Sequence, residues 1–270
     1  MAEGNEISSN LLLVFGIVCG LLGTILVGIN PIVGPALAAI GGACAIIWGA
    51  NAIRTVAGYG LGTGVPSIGY MSLGIGVLGG LTGLALSSLS IFAGLPKLFG
   101  VSIIAPILAL VLSMVLGFFV AVLAKVIVGM KIPVLLRCTA EIAGAAGLSV
   151  VAFSAAIAGA CDLASILAAV ITPGYIALLF ILNCMSIQEP YNACLGPDED
   201  QRRTLSLAVT NAFLAVIIVG LLAIPSGLAS LLIIIVGLIG FLYGLKTYLK
   251  KAGEGAAEVK WAGLWPEVEE

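Results

Sequence analysis

Between Ser186 and Arg203 the chain reads SIQEPYNACLGPDEDQRR, the one stretch where polar and charged residues outnumber apolar ones. Gln188, Glu189 and Asn192 there place a carboxylate and two amides directly after an apolar run, and oxygens of these types are what a hard cation accepts in place of water. Pro190 has no amide donor and disfavours helical geometry at Glu189, so a helix is expected to end at about Gln188, its last carbonyls beside Glu189 and Asn192. An ordinary polar loop between two membrane spans is the other reading.

Two further groups carry oxygen or charge. Arg137 and Glu141 are four residues apart, hence on one helical face, inside an otherwise apolar run. A charge at the centre of a bilayer costs about 2.5–3.5 kcal/mol on insertion scales, so the pair is expected to face protein or water, either neutralising itself near the interface or lining an ion path. Thr63 and Ser67 lie in GYGLGTGVPSIG, residues 58–69, a run too rich in glycine to promise a helix. They supply hydroxyls and exposed backbone to a site, or belong to a plain surface connection. Pro173, in ITPGY, is expected to interrupt a span and free carbonyls at mid-depth, the kind of broken helix at which transporters bind ions.

Other chemistry is poorly provided for. The chain has no histidine, which removes the usual general base, the commonest metal ligand and an imidazole axial ligand for a corrinoid or haem. No catalytic residue and no bound cofactor are therefore expected. The six cysteines form no CxxC pair and read as small packing residues. The glycine-rich run has no Walker lysine after it and no strand before it, and the scattered Lys and Arg make no basic patch for nucleic acid. Asp162 reads as a helix cap, and Asp198, Glu199 and Asp200 as a solvated cluster.

The elements that must position these residues follow from hydropathy. The chain is 61% hydrophobic and 9% charged, against roughly 25% charged residues in a soluble domain. Its apolar runs are continuous rather than alternating, so the fold class is all-α, a polytopic bundle of transmembrane helices. About eight spans are expected, near 11–29, 35–53, 68–92, 101–130, 134–159, 162–187, 205–224 and 228–249, within a membrane domain of residues 1–251 followed by a polar cytoplasmic tail, 252–270. The 101–130 run exceeds a hydrocarbon core of roughly 30 Å and must tilt, kink at Pro106 or project. With eight spans, all but one of the eleven Lys and Arg fall on the side of both termini, Lys97 alone lying opposite, which predicts both termini in the cytoplasm. Residues 1–10 lack the basic start of a secretory signal and are expected to be retained. Small residues spaced as in Gly16 and Gly20 let helices approach closely, and the two halves of four spans each carry a non-helical loop after their second span. Whether the halves form a parallel or an inverted repeat stays open.

At YGLGTGVPSIGYMSLG, residues 59–74, and QEPYNACLGPDE, residues 188–199, the sequence resembles the C subunit of tetrahydromethanopterin S-methyltransferase, a membrane complex of methanogenic archaea. The likeness extends over almost the whole chain. It implies an assembly of several subunits in the cell membrane that moves a methyl group from methyl-tetrahydromethanopterin to coenzyme M through a corrinoid, coupled to export of sodium ion. It also implies that the corrinoid is carried by another subunit, and it transfers no catalytic residue to this chain. On that footing Glu189 and Glu141 are the candidate sodium ligands, with Gln188, Asn192, Thr63, Ser67 and Arg137 along the ion path. The alternatives are a structural scaffold for the complex and a free-standing secondary transporter.

Overall fold

The computed structural model describes residues 9–59, 64–159, 173–193 and 202–261. Helix α1, Ser9–Ile25, passes through a 3-10 turn, Leu26–Gly28, to α2, Val33–Ala57, and α3 follows at Gly64–Leu86. A two-residue hairpin, β1 Lys97–Leu98 and β2 Val101–Ser102, leads to α4, Ile104–Ile127, and then α5, Leu135–Ala158. The run from Pro173 to Ala193 is continuous: α6, Pro173–Asn183, a π-helical turn, Cys184–Gln188, and α7, Glu189–Ala193. The chain finishes with α8, Arg202–Leu222, and α9, Leu228–Trp261. Among the described residues seven helices are long and apolar enough to cross a bilayer, which makes the molecule an all-α polytopic bundle.

Helix α5 is the axis. Of its most apolar stretch 94% is buried, against 33% for α1 and for α4, because α1, α2, α3 and α4 all pack on it. Its sequence explains the position: Gly144, Gly147, Ser149 and a succession of alanines let neighbouring helices come close between the larger Ile142, Leu148 and Phe153. A methyl group added at Gly80 of α3 would lie 2.7 Å from the Gly147 carbonyl oxygen, so backbone meets backbone there. On the far side of α2, α8 and α9 form an antiparallel hairpin, with Ser230 Oγ donating to the Gly220 carbonyl at 2.7 Å close to the turn. The outward faces of α1, α4 and α9 carry exposed Leu, Ile, Val and Phe, as lipid contact requires.

Several expected boundaries move, each for a local reason. Gly64 to Gly69 is helical, although glycine-rich: Pro66 is the third residue of α3, where a missing N–H leaves no intrahelical bond unmade. Pro106 is likewise the third residue of α4 and does not kink it. The span expected over 101–130 begins later because Phe99 (φ +52°) and Gly100 (φ +80°) turn a hairpin in which Leu98 pairs with Val101. The span expected over 68–92 ends at Leu86 and gives way to a short 3-10 turn at Ser90–Phe92. Beyond Lys251, where a polar tail is expected, α9 remains helical to Trp261. The expected break at ITPGY and the first part of the 162–187 span, with Asp162, fall partly outside the described residues; α6 begins at Pro173.

The two ends of the bundle differ in charge. At one end the start of α1 meets the end of α2 and the start of α5: Asn51 Nδ2 donates to Ser9 Oγ at 3.0 Å, and Arg137 donates to Asn10 Oδ1 at 3.2 Å. Arg54 is at that end, donating to Asn51 Oδ1 at 3.1 Å. Opposite, the hairpin bearing Lys97 folds against the end of α1, where a methyl at Gly28 would collide with the Phe99 carbonyl.

Candidate ion-binding site

The π turn is built around a missing donor. In π geometry an N–H bonds the carbonyl five residues back, as Glu189 N–H does with Cys184. Pro190 cannot do the same for Met185, and Asn211 of α8 takes its place, its Nδ2 donating to the Met185 carbonyl at 2.8 Å. Ser186 Oγ returns a bond to the Asn211 carbonyl at 3.1 Å. The helix expected to end at Gln188 therefore continues through Pro190 to Ala193, since tertiary contacts supply the donor that proline lacks. One turn earlier, Asn183 is fully buried, accepting from Ser149 Oγ of α5 at 2.7 Å and donating to the Leu179 carbonyl at 2.9 Å.

This register presents Gln188, Glu189 and Asn192 to the start of α3. Tyr70 O–H donates to Glu189 Oε1, and Asn192 Nδ2 donates to the Tyr70 oxygen at 3.0 Å and to Glu189 Oε1 at 3.3 Å. Gln188 Nε2 donates to Asn192 Oδ1 at 3.1 Å. Gln188 is fully buried, and its Oε1 has no hydrogen-bond partner. That oxygen occupies the space a side chain at residue 69 would take, so only glycine there admits it. The donors reaching Glu189 are neutral, and among the described residues it has no ion pair. A half-buried carboxylate without a cation, beside an unpartnered carbonyl oxygen, a phenol and an amide, is an arrangement suited to taking up a small hard cation.

Glu141 is placed differently. Arg137 Nε donates to its Oε1 at 2.5 Å and Trp48 Nε1 of α2 donates to its Oε2 at 3.2 Å, so each carboxylate oxygen is engaged. Glu141 is buried, whereas the Arg137 side chain is half exposed and also holds α1 through Asn10. The pair is thus closed on itself and shares no hydrogen-bond partner with the Glu189 group. Ser67 lines an apolar groove between α3 and α4 that Glu189 does not line. Thr63 lies outside the described residues.

Tyr70, Trp48, Asn183 and Asn211 are not legible as site residues from spacing. Their signal is present in part: an amide in a long hydrocarbon run needs a partner, which marks Asn183 and Asn211. Nothing local marks Tyr70, whose partners lie more than a hundred residues away.

The family model for the C subunit of tetrahydromethanopterin S-methyltransferase matches residues 1–269. The chain belongs to this family. The corresponding protein of Methanothermobacter thermautotrophicus is 52% identical over 99% of this chain and 96% of its own length. That of Methanosarcina mazei is 42% identical over 96% of this chain and 92% of its own. The relative from Methanopyrus kandleri, which carries the same name, is 36% identical, covering 96% and 89%. Family membership makes the chain one subunit of a methyltransferase complex.

Proposed function

We propose that this chain is a membrane subunit of the complex that transfers a methyl group from methyl-tetrahydromethanopterin to coenzyme M, and that its Glu189 site takes part in the coupled passage of sodium ion. The observation that carries the reading is the placement of the Glu189 carboxylate, which is held by neutral donors beside the unpartnered Gln188 oxygen. Sodium is the cargo here. Gln188, Asn192 and Tyr70 would replace part of its water shell and Glu189 would supply the charge. Without a histidine the chain offers no imidazole to a corrinoid, so the methyl-transfer steps are assigned to partner subunits.

Coupling requires that those steps change the affinity or accessibility of the site, because only a differential interaction shifts an equilibrium between conformations. Moving one charge against 100 mV takes about 2.3 kcal/mol, which corresponds to an affinity change of roughly fiftyfold. The gathering of Lys and Arg at the end where Arg54 and Arg137 lie supports an orientation with both termini cytoplasmic. The site then lies near the cytoplasmic boundary.

Glu189→Gln in the assembled complex keeps an oxygen and removes the charge. The sodium concentration for half-maximal turnover is expected to rise on the order of tenfold, about 1.4 kcal/mol. An unchanged sodium dependence would reject the assignment and favour a second reading, a scaffold whose glycine-lined faces hold neighbouring subunits. That reading is supported by the closed Arg137–Glu141–Trp48 group, whose carboxylate oxygens are both engaged.

A further inference from the structure

A second gathering of oxygens lies deeper in the bundle. Ser149 is near the middle of α5, and its Oγ is 2.8 Å from the Ala146 carbonyl oxygen and 2.7 Å from Asn183 Oδ1 of α6. A hydroxyl carries one proton, so it cannot fill both contacts, and one short oxygen–oxygen approach is left without a hydrogen. Turning the Asn183 amide over moves the deficit without curing it, because its other terminal atom is 2.9 Å from the Leu179 carbonyl oxygen. Ser149 and Asn183 are both fully buried, so bulk water does not make up the shortfall. Asn183 shares a continuous helical run with the Glu189 group, separated from it by the π turn Cys184–Gln188, and single π turns are frequent at functional sites. Toward the start of α6, the Tyr175 hydroxyl is buried close to Ser154 and makes no hydrogen bond among the described residues. The run from Tyr175 to Gln188 covers about 20 Å, roughly two-thirds of a hydrocarbon core.

We propose that Ser149 and Asn183 form a second cation station, at which the ion taken up by the Glu189 group is passed between α5 and α6 toward Tyr175. The proposal rests on the reading of the Glu189 group as an ion site. Ser149 Oγ, Asn183 Oδ1 and the Ala146 carbonyl are hard oxygen ligands, and a cation among them fills the place where a proton is lacking. None of the three carries a charge, so the station holds the ion more weakly than a carboxylate does. That suits a place of passage, where binding must be strong enough to admit the ion and weak enough to release it.

The test uses the intact complex in sealed vesicles, with uptake of radioactive sodium driven by methyl transfer and thermal unfolding read on the same preparation. Ser149→Ala/Asn183→Leu removes both polar side chains and leaves no buried group unsatisfied, so its unfolding temperature is expected to stay near that of the wild type. Its sodium uptake is expected to slow on the order of tenfold, because the oxygens at mid-depth are gone. The sodium concentration for half-maximal uptake should stay within about twofold, since Glu189 sets it. A stable double variant that takes up sodium at the wild-type rate overturns the proposal, for the pair then only pins α5 to α6. If the double variant does not assemble, Ser149→Ala, which removes one oxygen, is expected to slow uptake about threefold, and unslowed uptake overturns the proposal in its turn. The two readings fail separately: unchanged sodium dependence in Glu189→Gln rejects the ion site, whereas wild-type uptake in a stable double variant rejects the second station alone.

Discussion

Glu141 and Glu189 are both carboxylates on helices of an apolar bundle, and their neighbours give them contrasting surroundings. Glu141 accepts from a guanidinium and an indole, so its charge is compensated and its oxygens are engaged. Glu189 accepts from a phenol and an amide, which stabilise a negative charge without cancelling it. Removing one member of a buried pair leaves the other charge stranded, at a cost of about 3–5 kcal/mol. Arg137 is half exposed, so Arg137→Leu is expected at the lower end, about 3 kcal/mol, read as a lower unfolding temperature of the complex. Arg137→Leu/Glu141→Leu should recover most of that loss, because no uncompensated charge remains. Sodium dependence is expected to be unchanged in the double variant, which separates this pair from the Glu189 site.

The π turn, with α6 before it and α7 after it, is the element that aims the site. Pro190 alone would end a helix, yet the chain stays helical because Asn211 donates to the carbonyl that proline leaves without a partner. Asn211→Leu leaves the Met185 carbonyl unsatisfied and is expected to cost about 1–3 kcal/mol. Adding Pro190→Ala restores a backbone N–H and should return part of that stability. Thermal unfolding of the single and double variants checks this, and a double variant no more stable than Asn211→Leu would contradict the account. The same element marks the limit of local reading: the proline rule correctly finds the missing donor, but its replacement sits on another helix 26 residues away in sequence.

For the whole molecule, the prediction concerns orientation. If the end bearing Arg54 and Arg137 faces the cytoplasm, Lys97→Cys should react with an impermeant thiol reagent from outside intact cells, and Lys250→Cys only in inverted vesicles. The reverse labelling would invert the assignment and place Glu189 at the outer boundary. Hydropathy is a sum over neighbours in sequence, so membrane insertion, the helical class and the separation of Lys97 from the other basic residues are already determined by the order of residues. The family resemblance is likewise carried by residues 59–74 and 188–199 as written. Only the tertiary structure decides which acid is neutralised, because compensation is a pairwise event between side chains remote in the chain. Trp48 reaches Glu141 across 93 residues and Tyr70 reaches Glu189 across 119. No spacing rule encodes those distances, whereas packing α2 and α3 beside α5 and the π turn creates both.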